Sequence, residues 1–208
     1  RAGWHLEMNP TTVLGSFSAT PLSIAASYIP FVHHGVGIRP MSVRKILDSD
    51  QKEVFRAKPL EREIISPQTA YQITYALKGV IKRGTGRKYI GEAIGTTNDC
   101  VDAWFVGYTP NLVICVWVGY DDNRSMGEAM TGGRVAAPIW RDIMLRAVEL
   151  ESYTDKTFPT PEGLVFADVC GSTGLLATER CRRDPDSDLY LQMPFKKGTE
   201  PKQSCKYH

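Results

Sequence analysis

The stretch Asp102–Tyr120 constrains this chain most. Ala103-Trp104-Phe105-Val106-Gly107-Tyr108 and Leu112-Val113-Ile114-Cys115-Val116-Trp117-Val118-Gly119-Tyr120 are two apolar, β-prone runs joined by Thr109-Pro110-Asn111, which predicts a buried antiparallel hairpin. Both arms are apolar on both faces, so other layers, most simply helices, must cover the sheet on each side. Gly132-Gly133 precedes Ala136-Ala137-Pro138-Ile139-Trp140-Arg141-Asp142-Ile143-Met144, an amphipathic helix running to about Leu150 that supplies one cover. Trp104, Trp117 and Trp140 fall in these apolar segments and are expected to be core aromatics.

Upstream, Thr20 caps and Pro21 opens a helix whose apolar face is Leu22, Ile24, Ala25, Tyr28 and Ile29. Pro30 removes a backbone donor and should kink or end it near His33-His34-Gly35. The adjacent histidines point different ways and read as a solvated helix exit. Ile38–Phe55 predicts a small exposed hairpin around a polar turn. Ser66-Pro67 then starts a second helix with Tyr71, Ile73, Ala76, Leu77, Val80 and Ile81 on its apolar face, and Gly84-Thr85-Gly86 stops it. Arg83-Gly84-Thr85-Gly86-Arg87 looks like an anion loop, but it ends a helix and so lacks the N-terminal amides that hold phosphate.

Beyond Tyr153, Pro159, Pro161, Gly163, Gly171, Gly174, Pro185, Pro194 and Gly198 predict a tail with little regular structure. Three of the five cysteines, Cys170, Cys181 and Cys205, sit in it; Cys100 and Cys115 do not. No Cys-x-x-Cys and no cysteine/histidine cluster at zinc spacing stands out, so neither a metal nor a cofactor is expected. With 25 basic against 23 acidic residues, a net charge of +2 gives no general field for nucleic acid, and no stretch has the apolar length of a membrane span. The start at Arg1, with no initiator Met and no signal-peptide core, reads as a piece of a longer chain.

Gly95-Thr96-Thr97-Asn98-Asp99 lies immediately before the hairpin, at the edge of a core strand where backbone and hydroxyl groups can face a ligand. Asn98 and Asp99 also suit a plain turn. With this motif the chain resembles the transpeptidase domain of class A penicillin-binding proteins. Supporting pieces follow in the family's order: Leu14-Gly15 with Thr20-Pro21-Leu22, Lys45-Ile46-Leu47-Asp48, Arg83-Gly84-Thr85-Gly86, Asp102 to Pro110, Trp117-Val118-Gly119-Tyr120-Asp121, and Gly132-Gly133 with Ala136 to Trp140. Thr173-Gly174-Leu175-Leu176-Ala177 and Gly198-Thr199-Glu200-Pro201 in the tail resemble the family too.

The resemblance implies a serine β-lactamase and D,D-peptidase-like fold of α+β type, an antiparallel sheet flanked by helices, incomplete in this chain. Residues 1–152 would be the C-terminal half of the transpeptidase domain and residues 153–208 its loop-rich tail. The implied activity is that of a bifunctional peptidoglycan synthase, which cross-links stem peptides through a serine acyl-enzyme and is acylated by β-lactams on the periplasmic side of the cytoplasmic membrane. In that compartment a disulfide is permitted; Cys170 with Cys181 is the first pair to test, and the pairing stays open.

The family's Lys-Thr-Gly falls on Ala93-Ile94-Gly95, so the cation and one hydroxyl are missing, while Gly95, Thr96 and Thr97 remain as the implied substrate contacts. Ser42-Val43-Arg44-Lys45 and Ser49-Asp50-Gln51-Lys52 match Ser-x-x-Lys as strings. They fall in a β-type run and its turn, whereas the catalytic pair must share one face of a buried helix. No Ser-x-Asn occurs. In the family both earlier motifs precede the Leu14-Gly15 region, so the resemblance implies that the nucleophile and its lysine lie upstream of Arg1, with the missing N-terminal half as the necessary partner and the chain alone inactive. The competing reading is a non-catalytic remnant that keeps the fold as a structural or interaction module.

Overall fold

The computed structural model describes residues 18–83, 101–150, 157–183 and 190–206. Helix α1 (Pro21–Val32) leads into β1 (Val36–Ile38), β2 (Lys45–Leu47), β3 (Glu53–Arg56) and β4 (Glu61–Glu63), followed by α2 (Pro67–Arg83). Strands β5 (Asp102–Thr109) and β6 (Leu112–Gly119) precede α3 (Gly132–Glu149); β7 (Leu164–Cys170), α4 (Glu179–Arg183) and β8 (Tyr190–Lys196) complete the described order. All strand pairs are antiparallel: β1 with β4, β2 with β3, β5 with β6, and β7 with β8.

The β5–β6 hairpin is the centre of the fold, and its register explains why both arms are apolar throughout. Ala103↔Val118, Phe105↔Val116 and Gly107↔Ile114 alternate with Trp104↔Trp117, Val106↔Cys115 and Tyr108↔Val113. Successive residues point to opposite faces, so each set occupies one side. The first set packs on Ala136, Ala137, Trp140 and Met144 of α3. On the other side Tyr108 meets Tyr28 and Phe31 of α1, with ring centroids 6.0 and 6.2 Å away. The expected helical cover on both faces is present. Of the three tryptophans expected in the core, Trp140 is 1% exposed, while Trp104 and Trp117 are only half-buried, at the open end of the face that α1 covers.

Local chemistry sets the helix ends. The Thr20 hydroxyl accepts from the Ser23 N–H at 3.2 Å, and Pro21 fills the first position, where no donor is needed. Pro30 is buried inside α1, which ends two residues later. In α2 the Ser66 hydroxyl accepts from the Thr69 N–H at 3.3 Å. Thr74 on α2 is 1% exposed and its hydroxyl lies 3.0 Å from the Tyr108 hydroxyl. This buried polar pair ties α2 to the hairpin. Thr74→Val keeps the shape and removes the hydroxyl, so it is expected to cost about 0.5–1.5 kcal/mol, read as a lowered urea midpoint with an unchanged slope.

Two parts differ from expectation. The exposed β2–β3 hairpin is present, but a second antiparallel pair, β1–β4, extends it; Glu61-Arg62-Glu63 is fully exposed and shows no apolar alternation. The region beyond Tyr153 is not a tail of little structure. Strands β7 and β8 pair along their whole lengths, and Leu176 bridges Val169 on one side and Ser204 on the other. This C-terminal sheet is anchored on α2: Gln68 and Gln72 donate to the carbonyls of Glu162 and Pro194 at 2.9 Å, and Phe166 packs edge-on against Tyr71 and Tyr75. No helix among the described residues is long and apolar enough to cross a membrane.

Candidate functional site

Ala93, Ile94, Gly95, Thr96 and Thr97, together with Asn98 and Asp99, lie outside the described residues. The chain is described again from Val101 and enters β5 at Asp102. That end of the hairpin is tightly built. The Trp117 indole N–H donates to the Asp102 carboxylate at 2.7 Å, and the Trp104 and Trp117 rings lie 6.2 Å apart across the strands. Gly119, opposite Asp102, sits so close that a Cβ there would lie 2.7 Å from the Trp117 ring. An indole bonded to a carboxylate is held in one rotamer, so the segment carrying the motif leads into a fixed aromatic end of the sheet.

The two Ser-x-x-Lys strings lie in a bend and a turn, not on a helix. Ser42 is exposed in a bend before β2, and Ser49 is exposed in the turn between β2 and β3. That turn is closed by the Asp48 carboxylate, which accepts from the backbone N–H groups of Asp50 and Lys52, both at 2.9 Å. Neither serine shares a buried helical face with its lysine.

A cleft of about 20 Å³ lies between α1, α2 and the Phe158–Pro161 segment, lined by Phe31, His34, Ala70, Tyr71, Thr74 and Phe158 among others. It has room for about one water molecule and none for a peptide. Of the two histidines, His34 is exposed as expected, whereas His33 is half-buried with Nδ1 enclosed and lacking a hydrogen-bond partner.

The cluster that sequence reasoning missed is in the C-terminal sheet. Cys170 closes β7, Cys181 lies in α4 and Cys205 follows the last bridge, and their three sulfur atoms lie within 4.8 Å of one another. Cys170 and Cys181 are 0% exposed and Cys205 is 5%. None of the three is joined in a disulfide. The Thr173 hydroxyl and the backbone N–H groups of Thr173 and Ser172 hold the Cys170 thiol below its ordinary range despite burial, which pushes the other way. At Cys115 burial acts without such donors and pushes the thiol up to about 11. The signal available in the sequence was the spacing Cys205-x-x-His208.

Two family models match separate parts of this chain. The family model described as "Penicillin binding protein transpeptidase domain" matches residues 4–145. A second, "Penicillin-binding protein 1A, C-terminal domain", matches residues 160–208. Penicillin-binding protein 1A of Aquifex aeolicus (strain VF5) is 35% identical over 199 residues, 92% of this chain and 26% of that protein. Penicillin-binding protein 1A of Neisseria cinerea is 37% identical over 173 residues, 77% of this chain and 21% of that protein. Among solved structures, penicillin-binding protein 1A from Haemophilus influenzae superposes with a TM-score of 0.80 at 27% identity, covering 95% of this chain and 35% of that one. PonA1 from Mycobacterium tuberculosis gives 0.59 at 26% identity over 74% of this chain and 44% of that one. The chain spans about a quarter of the length of the curated relatives it matches.

Proposed function

The chain belongs to the penicillin-binding protein transpeptidase family, and from that premise we propose that it forms the later strands and helices of a serine D,D-transpeptidase domain in a bifunctional peptidoglycan synthase. The observation that carries this reading is the β5–β6 hairpin, covered by α1 and α3, with Gly95-Thr96-Thr97 shortly before it in the sequence. The backbone amides and hydroxyls of such a segment can serve a substrate carboxylate and the oxyanion of an acyl transfer. Gly95, Thr96 and Thr97 are the substrate contacts in this proposal. In this reading the nucleophilic serine and its lysine belong to the part of the domain that the family places before Leu14-Gly15; Ser42 and Ser49 lie in a bend and a turn rather than on a helix.

The mechanism assigned to the complete domain is covalent. The serine attacks the penultimate D-Ala carbonyl of a stem peptide, D-Ala leaves, and an amine from a neighbouring stem resolves the acyl-enzyme. A β-lactam enters the same first step and its ring opens on the serine. The work proceeds on the periplasmic side of the membrane, where stem peptides are found. Ala93 and Ile94 weaken the site: a methyl group does not replace a charge-assisted donor, and removing one such donor typically costs roughly 2.7–4 kcal/mol at the transition state.

A fluorescent penicillin added to the complete protein is expected to label it covalently and to leave the isolated chain unlabelled. Ala93→Lys with Ile94→Thr is expected to raise the acylation rate by about a hundredfold or more. Absence of labelling on a complete protein that melts cooperatively overturns the enzymatic reading. It supports the second reading, a non-catalytic module of the same fold, which Ala93 and Ile94 favour.

A further inference from the structure

We propose that Cys170, Cys181 and Cys205 form a thiolate metal centre that takes zinc and staples the C-terminal sheet. The proposal starts from what is buried there. The hydrophobic cluster of this part of the chain consists of these three cysteines with Leu175 and Ala177 packed against them. A small sheet without a substantial apolar core gains much from a crosslink or a metal. The three sulfurs already converge within 4.8 Å of one another, and tetrahedral Zn–S bonds of about 2.3 Å place sulfurs about 3.8 Å apart. A shift of about 1 Å or less brings the thiols onto an ion.

The backbone holds this arrangement from several directions. Segment 175–177 runs between the end of β7 and the last described residues: the Cys170 N–H donates to the Leu175 carbonyl, and the Cys205 N–H to the Leu176 carbonyl, both at 2.8 Å. Donors converge on the sulfurs as well. The Thr178 N–H lies 3.4 Å from the Cys181 sulfur and the Thr178 hydroxyl 3.5 Å from it. Amides aimed at sulfur stabilise thiolates, the form that binds metal.

A single disulfide would use two of the three thiols and leave the third buried and unpaired. Soft thiolate ligands in a closed site favour zinc over hard cations such as magnesium or calcium. In the sequence His208 follows Cys205 at the Cys-x-x-His spacing. The proposal rests on the three thiols and does not require it. Binding replaces the thiol protons, which pass to solvent, and no electron is transferred.

The test uses the full chain purified without chelator. Elemental analysis is expected to find about one zinc ion per chain; Cys170→Ser and Cys205→Ser are each expected to lose it, while Cys115→Ser keeps it. Because the serine variants can fail to fold, Co²⁺ exchanged into the unaltered chain decides independently. Intense visible bands of tetrahedral cobalt with sulfur-to-cobalt charge transfer in the near ultraviolet support the centre. Octahedral cobalt spectra, or no metal retained by the reduced chain after dialysis against Zn²⁺, overturn it. So does mass spectrometry of the chain as isolated, if it shows two of the three cysteines joined and the mass lower by two hydrogens.

Discussion

Trp140→Ala is expected to destabilise the fold by about 3–5 kcal/mol, the range for deleting a large buried aromatic. Trp140 is 1% exposed, at the centre of the cluster that joins α3 to the hairpin. Its ring lies 5.3 Å from Phe105, and its indole N–H donates to the Ile114 carbonyl at 3.1 Å. Truncation removes the aromatic contact area, leaves a cavity between helix and sheet, and strips a partner from a strand carbonyl. Since a domain is typically stable by only about 5–15 kcal/mol, this single change should remove a large fraction of the total.

The same ring explains Gly107. A Cβ at that position would lie 2.4 Å from the Trp140 ring, so Gly107→Ala forces apart two packed layers and is expected to cost about 1–3 kcal/mol. In the Trp140→Ala background the added methyl enters the cavity, and the penalty should vanish or reverse sign. Denaturant unfolding of the two single variants and the double variant measures this coupling. If Trp140→Ala costs less than about 1 kcal/mol, or the two changes simply add, helix α3 does not hold the sheet through this ring.

The hairpin and its helices were legible in the sequence because each signal was local. Continuous apolar, β-prone runs, a Pro-Asn turn and the Ser66-Pro67 start are read within a few residues of one another. The C-terminal sheet was hidden for the opposite reason. Strand β8 contains Pro194, which cannot donate to a ladder, and α4 separates it from its partner β7. The proline is tolerated because β8 has only β7 as a strand neighbour among the described residues and the Pro194 carbonyl accepts from Gln72 on α2. The cysteine cluster escaped notice similarly, since its members lie on different elements and meet only through the segment 175–177. The candidate substrate residues rest on the Gly95-Thr96-Thr97 string and its place before β5 in the sequence, and they lie outside the described residues.

Gly35→Ala should be the most damaging small-to-small substitution, costing about 2–5 kcal/mol as the sum of backbone strain and steric conflict. Gly35 follows the C-terminus of α1 with φ +90, and a Cβ built there would lie 2.0 Å from the Ile65 carbonyl oxygen. No side chain can yield in this contact, because both partners are backbone. Gly35 also joins three elements: its N–H donates to the Pro30 carbonyl at 2.7 Å, and its own carbonyl accepts from Ile64 and Ile65 at 2.9 and 3.2 Å. Relief requires moving α1 away from the strand that leads into α2. Gly198 is the internal control, with φ +91 and nothing within 4 Å of a built Cβ, so Gly198→Ala carries the strain alone, about 1–3 kcal/mol. Paired urea unfolding should therefore place Gly35→Ala well below Gly198→Ala, and hydrogen exchange at the Ile64 and Ile65 amides should accelerate only in the former. Equal losses in the two variants would mean that the α1 exit is free to shift and that the close approach to Ile65 does not fix how α1 sits on the hairpin.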